Sequence, residues 1–255
     1  MTTRNRIRTL SLSLVSAIAV AASANAGVID FGGFSHGQIM TNQLQGSDGV
    51  TISANNPNRA FDIAAIFDTE FAGSTPDPDL IGPNWDAGNL APNTSLGNAL
   101  ILSQTSALSS PGILATPNDE GSRPAGELIL DFDSQITSIG FDLIDVESIT
   151  SEDGMVQFYL NGVLLDSIAF DEFVTAGQFF DPTVVYGNNS ANRINPIGIN
   201  DLDPMSRGTA TGFDRVVFVL GGSGAIDTIQ YVPEPATLSL LTLGGVALIR
   251  RRRTA

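Results

Sequence analysis

The residues of this chain best suited to chemistry are acids set at short intervals. From Asp68 to Gly97 the sequence reads Phe67-Asp68-Thr69-Glu70, then Pro76-Asp77-Pro78-Asp79-Leu80, then Gly82-Pro83-Asn84-Trp85-Asp86. A loop of that length without secondary structure is uncommon unless it is functional or held by a ligand. Clustered oxygen donors suit Ca²⁺, which takes roughly six to eight of them. Asp77, Asp79 and Gly82 fit the first, third and sixth places of an EF-hand loop, but Gly88 stands where a bidentate Glu is required, so that motif fails. The expectation is a different Ca²⁺ site. It would draw on Asp68, Asp77 and Asp79 from this loop, Asp119 (beside Asn118 and Glu120) from a second loop, and Asp142 and Asp145 (with Glu147) after the next strand. Alternate residues of a strand share a face, so these last three cannot all serve together. The competing account is that the acids cap turns and solvate loops.

Other chemistries find less support. The single histidine, His36, lies in the glycine-rich turn Gly32-Gly33-Phe34-Ser35-His36-Gly37, and there is no Gly-x-Ser-x-Gly elbow to pair with it. Cysteine is absent, which excludes thiol nucleophiles, thiolate zinc sites and iron–sulfur clusters. Glycoside hydrolysis needs only two suitably spaced carboxylates, and with 27 acids any chosen pair is uninformative. Trp85, between Asn84 and Asp86, is a candidate platform for a sugar ring, against the plainer role of anchoring its loop. No catalytic residue is assigned. The expectation is a non-enzymatic protein that is structural or adhesive, with a carbohydrate-binding module as the alternative and a glycoside hydrolase behind it.

Charge narrows the partners. Of 12 Lys+Arg, seven lie near the chain ends (Arg4, Arg6, Arg8 and Arg250 to Arg253), leaving Arg59, Arg123, Arg193, Arg207 and Arg215 against 27 acids between Asp30 and Glu234. That interior carries a net charge of −22. It repels nucleic acid, which needs Lys/Arg to neutralise phosphate.

The elements that must position these residues read as strands. Short apolar or alternating runs occur at 28–31, 49–53, 64–67, 99–102, 127–132, 136–144, 155–160, 163–165, 215–220 and 225–231, with weaker ones at 183–186 and 194–199. Asn161-Gly162 between two such runs predicts a two-residue type I′ hairpin. Gly221-Gly222-Ser223-Gly224 joins the last two. No apolar stripe of helical period and length occurs between the two ends. The expected fold is all-β, a single jelly-roll-like β-sandwich over residues 27–231.

The ends read as delivery signals. Three arginines, an apolar run from Leu10 to Ala22 and Ala24-Asn25-Ala26 make residues 1–26 a secretory signal peptide for signal peptidase to remove. Residues 232–255 begin Val232-Pro233-Glu234-Pro235, continue uncharged from Ala236 to Ile249, and finish with Arg250, Arg251, Arg252 and Arg253. As a helix the uncharged stretch would be roughly 21 Å long. That is short of ~30 Å of hydrocarbon, but arginine stems can snorkel to the interface. The basic cluster would stay cytoplasmic and leave the domain outside. The last strand runs almost directly into Pro233, with no linker.

Pro233, Glu234 and Pro235, an apolar helix and an arginine cluster together resemble the PEP-CTERM sorting signal of Gram-negative bacteria. The resemblance covers about one-tenth of the chain. It implies an inner-membrane-anchored precursor, an exosortase as processing partner, and release to the cell surface or an extracellular matrix where exopolysaccharide is a further candidate partner. A looser likeness spans Ala65 to Glu147. Phe67-Asp68, Asp77-Pro78-Asp79-Leu80, Pro83-Asn84, Gly97-Asn98-Ala99-Leu100-Ile101, Pro117-Asn118-Asp119 and Phe141-Asp142-Leu143-Ile144-Asp145 resemble a recurring exported bacterial β-domain. Its members often carry such tails and have no assigned activity.

Overall fold

The computed structural model describes residues 26–235. The signal peptide expected over 1–26, save its last residue, and the apolar helix and arginine cluster of the tail lie outside the described residues. Residues 26–234 form one compact unit. In chain order its strands are β1 (Gly27–Ile29), β2 (Val50–Asn55), β3 (Ala64–Asp68), β4 (Asn98–Leu102), β5 (Leu108–Ser110), β6 (Ile113–Leu114), β7 (Gly126–Ile144), β8 (Met155–Leu160), β9 (Val163–Ala169), β10 (Ala191–Gly198), β11 (Phe213–Leu220) and β12 (Ala225–Pro233). Among the described residues helix is confined to the single turns α1 (Gln45–Asp48) and α2 (Pro204–Arg207) and two 3-10 turns, Pro78–Leu80 and Phe170–Phe173.

Everything is built on β7. Its 19 residues replace the two adjacent strands expected at 127–132 and 136–144. The first half pairs with β2 (Thr51 opposite Asp131) and β11 (Val217 opposite Ile129). The second half changes partners to β10 (Asn192 opposite Leu143) and β12 (Ile226 opposite Leu143). One strand thus serves both halves, and the strands pair into a single ten-stranded sheet in the order β3-β4-β12-β7-β11-β8-β9, with β1 on β12 and β2 and β10 on β7. The main architecture is thus one continuous, curled sheet.

Burial along β7 shows why it can do this. In its first half, Leu128, Leu130 and Phe132 are buried in alternation with partly exposed neighbours, the pattern of a strand with one face on the core. From Ile139 onward most residues on both faces are buried, because the second half has a hydrophobic cluster on each side. The larger cluster takes Phe141, Leu143, Phe158, Phe213, Phe218 and Ile226. The smaller one takes Ile144, Ala191, Ala225, Phe67, Leu80 and Ile101, and Trp85 packs on it from the long loop.

The hairpin at Asn161-Gly162 forms as expected, with φ of 50° and 77°. The weak strand expected at 183–186 is irregular loop instead. The Asp181 carboxylate accepts from the Thr183 N–H and the Asn192 side chain brackets Val185, so the backbone there bonds to side chains rather than to a neighbouring strand. The second loop, unstructured in the sequence reading, holds the small β5–β6 hairpin.

Candidate functional site

The long acidic loop is fastened down at several points. Leu80, in its 3-10 turn, is fully buried in the smaller cluster. Ala87 bridges to Ser190, and the Ala191 N–H donates to the Ala87 carbonyl at 3.0 Å, so the loop rides along β10 like a further strand. Gly88, at φ +114°, permits this approach: a Cβ there would lie 2.0 Å from the Ala191 carbonyl oxygen. The Asn189 amide staples the next stretch, donating to the carbonyls of Asp79 (2.8 Å) and Ile81 (2.9 Å).

This fastening brings four of the candidate acids into one neighbourhood. Asp77 Oδ2 accepts the Asp119 N–H at 3.2 Å, and the two carboxyls lie close enough to act on each other electrostatically. Asp119 Oδ2 accepts the Gly224 N–H, which ties the second loop to the β11–β12 turn. Asp145, just past β7 with φ +56°, accepts the Asn189 N–H at 2.7 Å. Asp79 bonds the Asn188 amide at 3.2 Å and lies close enough to act electrostatically on Asp77 and Asp145. Asp77, Asp119 and Asp145 are almost fully buried.

The electrostatics follow from burial among like charges. Desolvation first, then Asp77 and other neighbouring acids, pushes Asp119 well above the usual carboxylate range. Burial, then Asp79, Asp77 and Glu147, raises Asp145 to about 7 against the pull of the Asn189 N–H. Asp77 moves up as well, again chiefly through burial. Two carboxylates buried this close each disfavour the ionisation of the other.

The remaining candidates are placed elsewhere. Asp68 ends β3, where its carboxylate accepts from the Glu70 N–H and its own N–H donates to His36 Nδ1 at 3.0 Å. Asp142 is fully buried and gripped by Arg193 through two bonds of 2.8 and 2.7 Å, so its charge is already answered. The alternation rule explains the separation: Asp142 stands in regular strand, whereas the left-handed residue Asp145 has turned away from it. Glu120, beside Asp119, belongs to Arg59. Burial opposes its charge, but bonds from Arg59, Ser122 and Asn56 prevail and hold it at about 2. His36 stacks on Phe71 with ring centroids 4.1 Å apart, and burial lowers its pKa, so its neutral Nδ1 serves as an acceptor. The Trp85 N–H donates to the Thr94 carbonyl at 3.0 Å and its ring lies against Gly82, which fits the anchoring role better than an open sugar platform.

Among the described residues no three Asp, Glu or His side chains converge tightly enough to ligate one ion as they stand. The donor set near Asp77 and Asp119 is nonetheless the right kind for Ca²⁺, a cation that accepts carbonyl and amide oxygens alongside carboxylates. It could take the Asp77 and Asp119 carboxylates, with Asp145 and Asp79 behind them.

One residue that the sequence reading missed is Asp227, opposite Asp142 in the β7–β12 register. It is fully buried, its Oδ1 has no hydrogen-bond partner, and burial together with Asp142 raises it to about 8. Its signal was present: an acid inside the apolar run Ala225–Tyr231 at a core-facing position.

At the tail, β12 runs past Tyr231 to Pro233, with Val232 opposite Ser138 and Pro233 opposite Ile136. Proline is tolerated because Pro233 ends its strand, at a register shift.

Comparison with known proteins adds three findings. A search of curated proteins returns no match. Among solved structures, the chain is similar to the K2 cleaved adhesin domain of Lys-gingipain, with 11% identity, 81% of this chain and 97% of that chain covered, and a TM-score of 0.37. Residues 232–253 match the PEP-CTERM protein-sorting motif, which implies export as a membrane-anchored precursor and processing by an exosortase. The strand that closes this β-rich domain therefore leads directly into a tail of the PEP-CTERM sorting type.

Proposed function

We propose that this protein is delivered to the cell surface or extracellular matrix, where its domain, a jelly-roll-like sandwich whose two leaves stay joined through β7, plays a non-enzymatic structural or adhesive part. The observation that carries this reading is the continuity of β12 with the sorting motif: any step that delivers the tail delivers the domain with it. The environment of His36, stacked on Phe71 with Nδ1 taken by a backbone N–H, supports the non-enzymatic part. The test is surface exposure. Protease added to intact cells should remove an epitope placed in the exposed Asn161-Gly162 turn, and deletion of residues 232–253 should abolish that removal. An epitope that stays protected in cells carrying the full chain would refute the reading.

The same reading assigns Ca²⁺ to Asp77 and Asp119, as a ligand that stabilises the fold. Support comes from how the arginines are spent. Arg59 pairs with Glu120, Arg123 with Glu152 and Glu147, Arg193 with Asp142 and Arg215 with Asp131. Among the described residues none of these pairs reaches Asp77, Asp119 or Asp145. Buried carboxylates without a counter-charge are costly, and a divalent cation would supply one.

A further inference from the structure

A cleft of about 290 Å³ opens between the loop after the Phe170–Phe173 turn and β10. Its floor is aromatic: Phe179 is half-buried and set edge-on to Phe173 at 6.5 Å, while Phe180 is 43% exposed. Its walls carry planar polar groups held in place from behind. Asp181 Oδ1 accepts both the N–H and the hydroxyl of Thr183, and its Oδ2 accepts from Asn195 Nδ2 at 3.1 Å. Asn195 is exposed, and its carbonyl oxygen and second amide hydrogen have no partner among the described residues. Gln178 is braced on the Asp201 carbonyl at 2.7 Å.

Past Asp201 a second, more open cleft continues along Asn200, Arg207, Thr209 and Thr211. The two share Asp201, so together they form an open track rather than a closed chamber.

An apolar ring face bounded by fixed carboxylate and amide groups matches the chemistry of a pyranose, which presents a C–H face and an equatorial rim of hydroxyls. The first cleft is near the lower end of the size range of ligand pockets, about 300 Å³. Asp181 and Asp201 on its walls, in a domain of net charge −22, repel carboxylated or sulfated sugars. The open track suits a chain passing through rather than a free monosaccharide. We propose that this cleft binds a hexose unit of a neutral polysaccharide, with Phe179 and Phe180 as the stacking surface, Asp181 and Asn195 as hydroxyl partners, and the chain continuing past Asp201. This gives the adhesive part of the preceding reading a ligand class and rests on it.

Affinity electrophoresis of the full chain in mild detergent tests this, through gels containing a neutral glucan, a neutral galactomannan or an anionic alginate. Retardation is expected in at least one neutral gel. Phe180→Ala, a change at an exposed position, should weaken it about tenfold, as should Asn195→Ala, whereas Trp85→Phe should leave it in place. No retardation in either neutral gel, retardation by alginate alone, or retardation that survives both cleft variants would each overturn the proposal. Surface exposure in the protease assay is unaffected by any of these outcomes, so the failure of the ligand and the failure of the delivery reading are told apart.

Discussion

The Glu234 backbone N–H donates to the Gln135 carbonyl across 2.8 Å, fastening the middle of the Pro-Glu-Pro motif to the bend of β7. Thr137 adds a bond from its hydroxyl to the Val232 carbonyl at 3.2 Å. The first residues of the sorting motif are thus part of the sheet. A processing enzyme that needs extended chain at Pro-Glu-Pro must first peel this end of β12 away. Strand ends open at low free-energy cost compared with global unfolding, so peeling is feasible but not free. Inserting six Gly/Ser residues after Tyr231 should uncouple the motif from β7 and speed tail removal, followed as a mobility shift in pulse-labelled cells. An unchanged rate would mean that this pairing does not govern access.

Calcium should raise the melting temperature of the full chain in mild detergent. At a free concentration about 100 times Kd the gain is about 2.7 kcal/mol. That corresponds to roughly 5–10 °C in a domain of this size. Asp119→Asn should remove most of the Ca²⁺-dependent part. Identical melts in Ca²⁺ and in chelator would reject the assignment.

In chelator the pH dependence should run opposite to that of most acidic proteins. Asp145 (about 7) and Asp227 (about 8) hold protons in the folded state that they release near pH 4 when unfolded. The folded state therefore binds more protons across that window, and stability falls as pH rises from about 4 through about 8. Chemical denaturation at pH 5 and pH 8.5 should show the higher midpoint at pH 5, and Asp227→Asn should flatten the difference. A midpoint that climbs toward pH 8.5 would contradict the buried-acid account.

Arg193→Leu should cost about 3–5 kcal/mol, because it strands the fully buried Asp142 charge beside Asp227. Adding Asp142→Asn should recover much of that loss, since the uncompensated charge is what hurts. Equal midpoints for single and double variants would show that Arg193 acts through packing instead.

Gly88→Ala should release the acidic loop from β10, because its Cβ would meet the Ala191 carbonyl. Amide exchange in residues 77–90 should rise selectively while β7 and β11 stay protected. Protection unchanged in the loop would mean that the contact is dispensable.

The chain's order along itself was largely legible in the residues. The Asn161-Gly162 hairpin, the apolar strand runs and the Pro-Glu-Pro tail with its arginines follow from local rules: positive φ at a turn, alternation on a sheet, charge against apolar length. The acid-rich loop could be named as a candidate, but not which of its acids meet. Asp77 and Asp119 come together, and Asp68 and Asp142 do not, because the Asn189 staple and the Ala87–Ser190 bridge act across more than a hundred residues of sequence. Composition cannot encode such pairings. Nor could it show that 127–132 and 136–144 are one strand, since each half looks complete alone and only the change of partners along β7 reveals its continuity. The sequence by itself determined the β character, the negative charge and the address of this protein. Tertiary structure decided which acids lack a counter-charge, where an aromatic cleft opens, and that the address begins inside the last strand, because those depend on long-range register, which local residue patterns leave open.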